Sequence, residues 1–355
     1  MIEMGAENSP IEGRKYQIVL LGILSMFFAE VCSGSSLLWF FDVWSLLVTF
    51  PLYWAHILFF LTLAIKTKRT TLSHLYLWGI LFGLYESWIT KVTWIGYPST
   101  SPLIPPILGV AVVETIVVVF FWHPIFSFIA PILTFEILAA EFARRVPEVK
   151  MEDIIIPSHI PYLTKTRGNL AKFLAIIFIG ATGLVFNSGF NQLVALFTLI
   201  GTFAGLWVVL KAGLRKTKYF SIFSVKLEKR GFTIVTSYLI LLYAVTFLLL
   251  RPEGIPASII PILIILSIYA VAVLLLYLNK PNLTDEKKEK HEISKMFSMK
   301  DLRNAVVIFT ILTVIENTIP PISAILFTVM YFSFIALGLG LFIYTIVRIL
   351  ISTKK

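Results

Sequence analysis

The residues most able to do chemistry here are ionisable groups embedded in apolar stretches: Glu30, His56, Glu86, Lys91, Glu114, His123, Glu136, Glu141 and Glu316. A charge at the centre of a membrane helix costs roughly 2.5–3.5 kcal/mol on insertion scales, so such groups mark ion or solute paths and proton relays. Carboxylates can hold a cation, histidine can pass a proton, and the two together can activate water. All but Glu316 lie before residue 144, so the polar site is expected in the first part of the chain. Glu30, Glu86, Lys91, Glu114, His123 and Glu316 are the candidates for a ligand or ion pathway. No metal site is expected, and with a single cysteine, Cys32, neither a Cys-based metal site nor an intramolecular disulfide can form.

Local sequence refines these candidates. Glu30 comes just before Ser33-Gly34-Ser35-Ser36, a small and polar helix end that either exposes carbonyls and hydroxyls to a ligand or is a plain helix exit. Lys91 follows Glu86 by five positions, about 140° round a helix, and is better placed to pair with a neighbouring helix than with Glu86. His123 precedes Pro124, which frees the carbonyl of Phe120 from its helix bond. Glu136 and Glu141 sit beside Arg144 and Arg145, where i, i+4 pairing accounts for Glu141.

These residues carry a resemblance. Phe28-Ala29-Glu30-Val31 with Ser33-Gly34-Ser35, Gly83-Leu84-Tyr85-Glu86, and His123 to Glu136 resemble an uncharacterised group of prokaryotic multi-pass membrane proteins. That group's pattern is AE-x-x-SGS, then GxxEE, then H-x-x-x-S-x-x-x-P-x-x-x-x-E. The likeness covers roughly residues 20–140 and departs at Ser87, where a second Glu would stand. It implies a shared multi-pass fold and supplies no activity. Glu86 to Lys91 also has the spacing of the EExxxR motif of intramembrane CAAX-type proteases. There Ser87 and Lys91 replace the second Glu and the Arg, and Val119 replaces the Phe of F-x-x-x-H. No H-E-x-x-H, G-x-S-x-G, P-loop or Rossmann fingerprint is present, so the sequence names no cofactor.

The elements that must position these groups follow from composition. Hydrophobic residues make up 58% of the chain, charged residues 14%, and the mean hydropathy is +0.88. A soluble domain carries about 25% charge, so this is an all-α polytopic transmembrane bundle. Apolar runs predict about ten spans with both termini cytoplasmic, and no cleavable signal peptide is read. The run 103–143 is taken as one long span, kinked at Pro124 and Pro131, with a surface-lying start at Pro105-Pro106. On that reading all but Lys91 and Arg251 of the 30 Lys and Arg face inward, as the positive-inside rule requires. The net charge of +10 then reflects loops on anionic lipid and not nucleic acid.

The chain divides into a cytoplasmic tail (1–15), a first half of four spans (16–143), a cytoplasmic linker (144–168) and a second half of six spans (169–355). Residues 214–231 place Tyr219, Phe220, Ile222 and Phe223 among Lys and Arg, which reads as an interfacial helix or an ordinary basic loop. Gly79-x-x-x-Gly83 and Gly201-x-x-x-Gly205 let helices approach closely, for packing within the bundle or for a homo-oligomer. The leading functional expectation is a small-solute or ion permease, or a ligand-binding protein, of the cell membrane. Its polar site is placed in the outer half of the first four helices. The alternatives are an intramembrane, hydrolase-like enzyme using Glu86 with Glu30 or His123, and a scaffold whose acids are structural.

Overall fold

The structure is a computed structural model that describes residues 13–98, 100–144, 150–216, 220–281 and 295–353. Among the described residues it is helical and contains no strand. The long helices are α1 (Arg14–Met26, continued by a π-helical turn Phe27–Val31), α2 (Ser45–Lys66), α3 (Leu72–Thr90), α4 (Val112–Ala143) and α5 (Arg167–Asn187). They are followed by α6 (Gln192–Lys216), α7 (Lys229–Leu249), α8 (Ile259–Leu278), α9 (Met299–Thr318) and α10 (Pro320–Thr353). Seven of them, α2, α4, α5, α6, α7, α8 and α10, are long and apolar enough to cross a membrane. The run 103–143 contains a single helix, α4. Residues 103–109 before it lie exposed and turn sharply at Leu108 and Gly109, both at positive φ.

The bundle has an inside and an outside. Most of α4 is buried, as are α1 from Leu20 to Met26 and most of α3. Helix α3 packs on α4, α1 on α2 and α6, α10 on α4, and α7 and α8 cover α2 and α3. The later helices turn Leu193, Phe197, Trp207, Ile240, Leu263 and Ile325 outward. In water such a surface would aggregate; against lipid tails it has no cost.

Two sequence features fix the α3–α4 contact. A Cβ on Gly79 would lie 2.4 Å from Pro124 Cα, and one on Gly83 would lie 3.0 Å from His123 Cβ. The glycines therefore let α4 approach α3 at backbone distance. Pro124 sits in a π-helical stretch, Ile116–Ile129, and the Phe120 carbonyl takes a hydrogen bond from the Tyr76 hydroxyl (2.7 Å). A proline in a membrane helix persists when a neighbouring helix satisfies the freed backbone, and Tyr76 of α3 does so. Helix α1 is pinned to the same stretch: Ser25 Oγ donates to Ser127 O (2.9 Å) and Trp122 Nε1 to Ala29 O (3.0 Å).

The basic end is closed by side chains capping carbonyls. Arg69 donates to Leu276 O, Arg14 to Ser224 O, and Arg144 to Met296 O and Phe297 O. The described part of the linker folds onto the bundle, burying Ile154, Ile155, Ile156, Ile160 and Leu163. The basic stretch after α6 also turns inward. Phe220 and Ile222 are buried, with Phe220 stacked on Phe135 at 4.8 Å, so 220–225 is no membrane-surface helix. Tyr219 lies outside the described residues, as do 1–12 of the tail and Arg145. Asp42, at the start of α2, accepts from Ser45 N (2.7 Å). The Ser45 hydroxyl and then its backbone N–H hold this exposed carboxyl below its usual range.

Candidate functional site

A polar cluster forms where α1, α2, α3 and α4 meet, toward the ends of α1 and α3 remote from the basic loops. His123 Nε2 lies 2.9 Å from Glu86 Oε2, and His123 Nδ1 lies 2.8 Å from Ser127 Oγ. Glu30 accepts from the Tyr53 hydroxyl (2.5 Å) and from Ser36 Oγ (2.6 Å). The Tyr53 ring stacks on the His123 ring at 6.1 Å, which joins the two networks. Glu86 and His123 lie within electrostatic reach of Glu30. The His123 side chain is 4% exposed and that of Glu86 14%, so the carboxylate is the group open to the surroundings.

Local backbone explains why these groups converge. Glu30 sits in the π turn that ends α1, and His123 sits in the π stretch of α4. π segments shift side chains out of α-helical register and are common at functional sites. Glu86 lies one turn beyond Gly83, whose missing side chain brings His123 close. His56 stacks on Phe82 at 4.6 Å, and Phe82 on His123 at 5.4 Å.

The other candidates lie apart. Lys91 is fully buried, with Nζ donating to Thr246 O (3.1 Å), Phe247 O (2.6 Å), Leu250 O (2.5 Å) and Ile89 O (3.0 Å). It caps the C-terminal end of α7, where a cation meets both unpaired carbonyls and the helix dipole. Glu114 accepts from Leu103 N (2.7 Å) and ties the preceding loop to α4. Glu316 faces α5 and accepts from Thr182 Oγ1 (3.0 Å). Glu141 pairs with Arg144 at 2.7 Å. Glu136 does not turn to the arginines: its carboxylate meets His159 Nδ1 (2.7 Å) and Ile156 N (2.9 Å), all buried. Among the described residues no three His, Cys, Asp or Glu side chains are grouped as ligands of one metal ion.

Residues 19–353 match a protein family described as an uncharacterized membrane protein family. The match takes in both the inner cluster and the outer helices. The chain belongs to that family. It is thus a multi-pass membrane protein, and the resemblance of its first four helices to a prokaryotic group is a family relationship. A similar protein from Archaeoglobus fulgidus, described as an uncharacterized protein, is 42% identical over 122 residues. That alignment takes in 33% of this chain and spans 37% of the relative's length. No solved structure matches the chain.

Three partners in this family member escape a reading of the sequence. Tyr53 supplies a hydroxyl to Glu30, Ser127 one to His123, and His159 a ring nitrogen to Glu136. Ser127 follows His123 by one helical turn, so that contact has a visible signal in the i, i+4 spacing. Tyr53 and His159 come from other elements and have none.

Proposed function

We propose that the protein is a small-solute or ion permease of the cell membrane whose polar site is the Glu30–Tyr53–Glu86–His123 cluster. One observation carries the reading: His123 is bonded to the partly exposed Glu86, and a second carboxylate, Glu30, is held by Tyr53, whose ring stacks on that histidine. A neutral imidazole has one N–H and one acceptor nitrogen, whereas the protonated ring donates from both. With Glu86 on Nε2 and Ser127 on Nδ1, His123 can take up or release a proton without moving a heavy atom. Two acids against one base leave room for one further positive charge, either a proton or a cationic solute.

A specific observation also favours a second reading. The same 2.9 Å pair has the geometry of a carboxylate–histidine base for water, which is the intramembrane hydrolase.

Glu86→Gln separates these from a structural role, because the amide keeps shape and hydrogen bonding. In liposomes holding a pH-sensitive dye, the wild type should move protons when gradients of alkali cations, amines or carboxylates are imposed. Glu86→Gln should lose this flux at least tenfold while melting like the wild type in detergent. Wild-type flux per folded molecule in both Glu86→Gln and His123→Gln would overturn the permease reading.

A further inference from the structure

A further polar patch in the apolar interior lies between α5, α9 and α10. Glu316 and Asn317 lie near the end of α9; Thr182 of α5 and Ser323 of α10 reach Glu316, and all four side chains are buried. Thr182 Oγ1 donates to Glu316 Oε1 (3.0 Å), and Ser323 Oγ donates to the Glu316 carbonyl (2.6 Å). The Asn317 amide is oriented by its own hydrogen bond, Nδ2 donating to Thr313 O (2.7 Å). Its Oδ1 is left without a partner, and so is Glu316 Oε2.

Both unpartnered atoms are oxygens, on adjacent residues, at the carbonyl end of a helix. That end carries the negative pole of the helix dipole and unpaired carbonyls. The helix breaks there: Ile319 leaves helical geometry, and α10 begins at Pro320. Each hydroxyl spends its hydrogen on Glu316 and keeps its lone pairs. Among the described residues Glu316 makes no ion pair with a Lys, Arg or His. Side-chain oxygens beside a carboxylate that has no basic partner suit a hard cation. A single carboxylate balances one charge, and a divalent ion would leave net charge buried without a second acid.

We propose that Glu316, Asn317, Thr182 and Ser323 bind a monovalent alkali cation at the α9–α10 break. The inference does not depend on the permease reading, since binding is measured without transport.

The test uses the full chain in detergent at pH 8, with NaCl, KCl or LiCl exchanged for choline chloride at constant ionic strength. The wild-type unfolding temperature should rise saturably, by about 3 °C or more, with at least one alkali cation. Glu316→Gln should abolish that rise, Asn317→Ala should weaken it, and Glu86→Gln should leave it intact. Should Glu316→Gln fail to fold, Thr182→Val together with radioactive sodium binding to the wild type supplies the same comparison. A wild type insensitive to all three cations would overturn the proposal. So would a rise retained in Glu316→Gln or Thr182→Val, or one produced by Ca²⁺ at tenfold lower concentration than by any alkali ion.

Discussion

Among the described buried acids, the partner and the remaining exposure together decide what the acid can do. Glu136 is enclosed by His159 and a backbone N–H with no exposure, so it serves as a structural tie. Glu86 has a comparable histidine partner but keeps an open side, and chemistry needs that side. Asp301 shows the opposite limit, outside the apolar region. Burial opposes its charge, yet the hydrogen bonds from Lys165 and Ser298 outweigh it and hold the carboxyl below the usual range. It forms a capping box with Ser298 at the start of α9. A carboxyl depressed on folding contributes stability above its unfolded pKa of about 3.9 and loses it as pH falls through the folded value. Asp301→Ala should therefore lower stability by about 1 kcal/mol near neutral pH. That deficit should shrink on acidification from pH 5 to pH 3 in thermal melts; a deficit constant over that range would contradict the assignment.

At the scale of elements, the α3–α4 contact is what makes a site out of scattered residues. Gly79 and Gly83 supply the room, and Tyr76 supplies the hydrogen bond that the proline-bearing helix needs. Gly79→Ala would place a methyl group 2.4 Å from Pro124 Cα, and backbone cannot yield as a flexible side chain does. The expected loss is about 1–3 kcal/mol, as for other overpacked interiors, with Glu86 moved off His123. Gly205→Ala is the control: nothing lies within 4 Å of the added carbon, and replacing a helix-interior glycine should stabilise slightly. Equal melting temperatures for the two variants would show that the close approach carries no energy. Lys91 acts at the same scale, because its ammonium fixes the end of α7 against the end of α3.

For the whole molecule, the buried inner helices and the exposed apolar outer ones describe a bundle dissolved in lipid, and the remaining issue is which end faces the cytoplasm. The basic residues at one end predict a cytoplasmic side there. With Cys32 replaced by alanine, a cysteine at exposed Ala257 should react with an impermeant maleimide on intact cells. One at exposed Lys216 should react only after permeabilisation. Reaction of Lys216→Cys from outside would reverse the orientation and, with it, the side from which Glu86 is reached.

The sequence by itself determined the solvent, the class of fold and the residues that had to be explained. Hydropathy is a sum over local side chains, and a charge inside an apolar run is visible wherever its partner lies. It also predicted one span within 103–143, where the structure holds one long helix, Val112–Ala143. Short-range geometry was legible too: the five-residue step from Glu86 to Lys91 directs the lysine to another helix. Only the tertiary structure decided which acids have partners. Tyr53 reaches Glu30 across 23 residues and His159 reaches Glu136 across the same separation. No local pattern encodes either contact, since each depends on how separate helices pack. For the same reason Phe220 and Ile222, which beside lysines suggested a membrane surface, became core residues once the bundle offered them a protein interior.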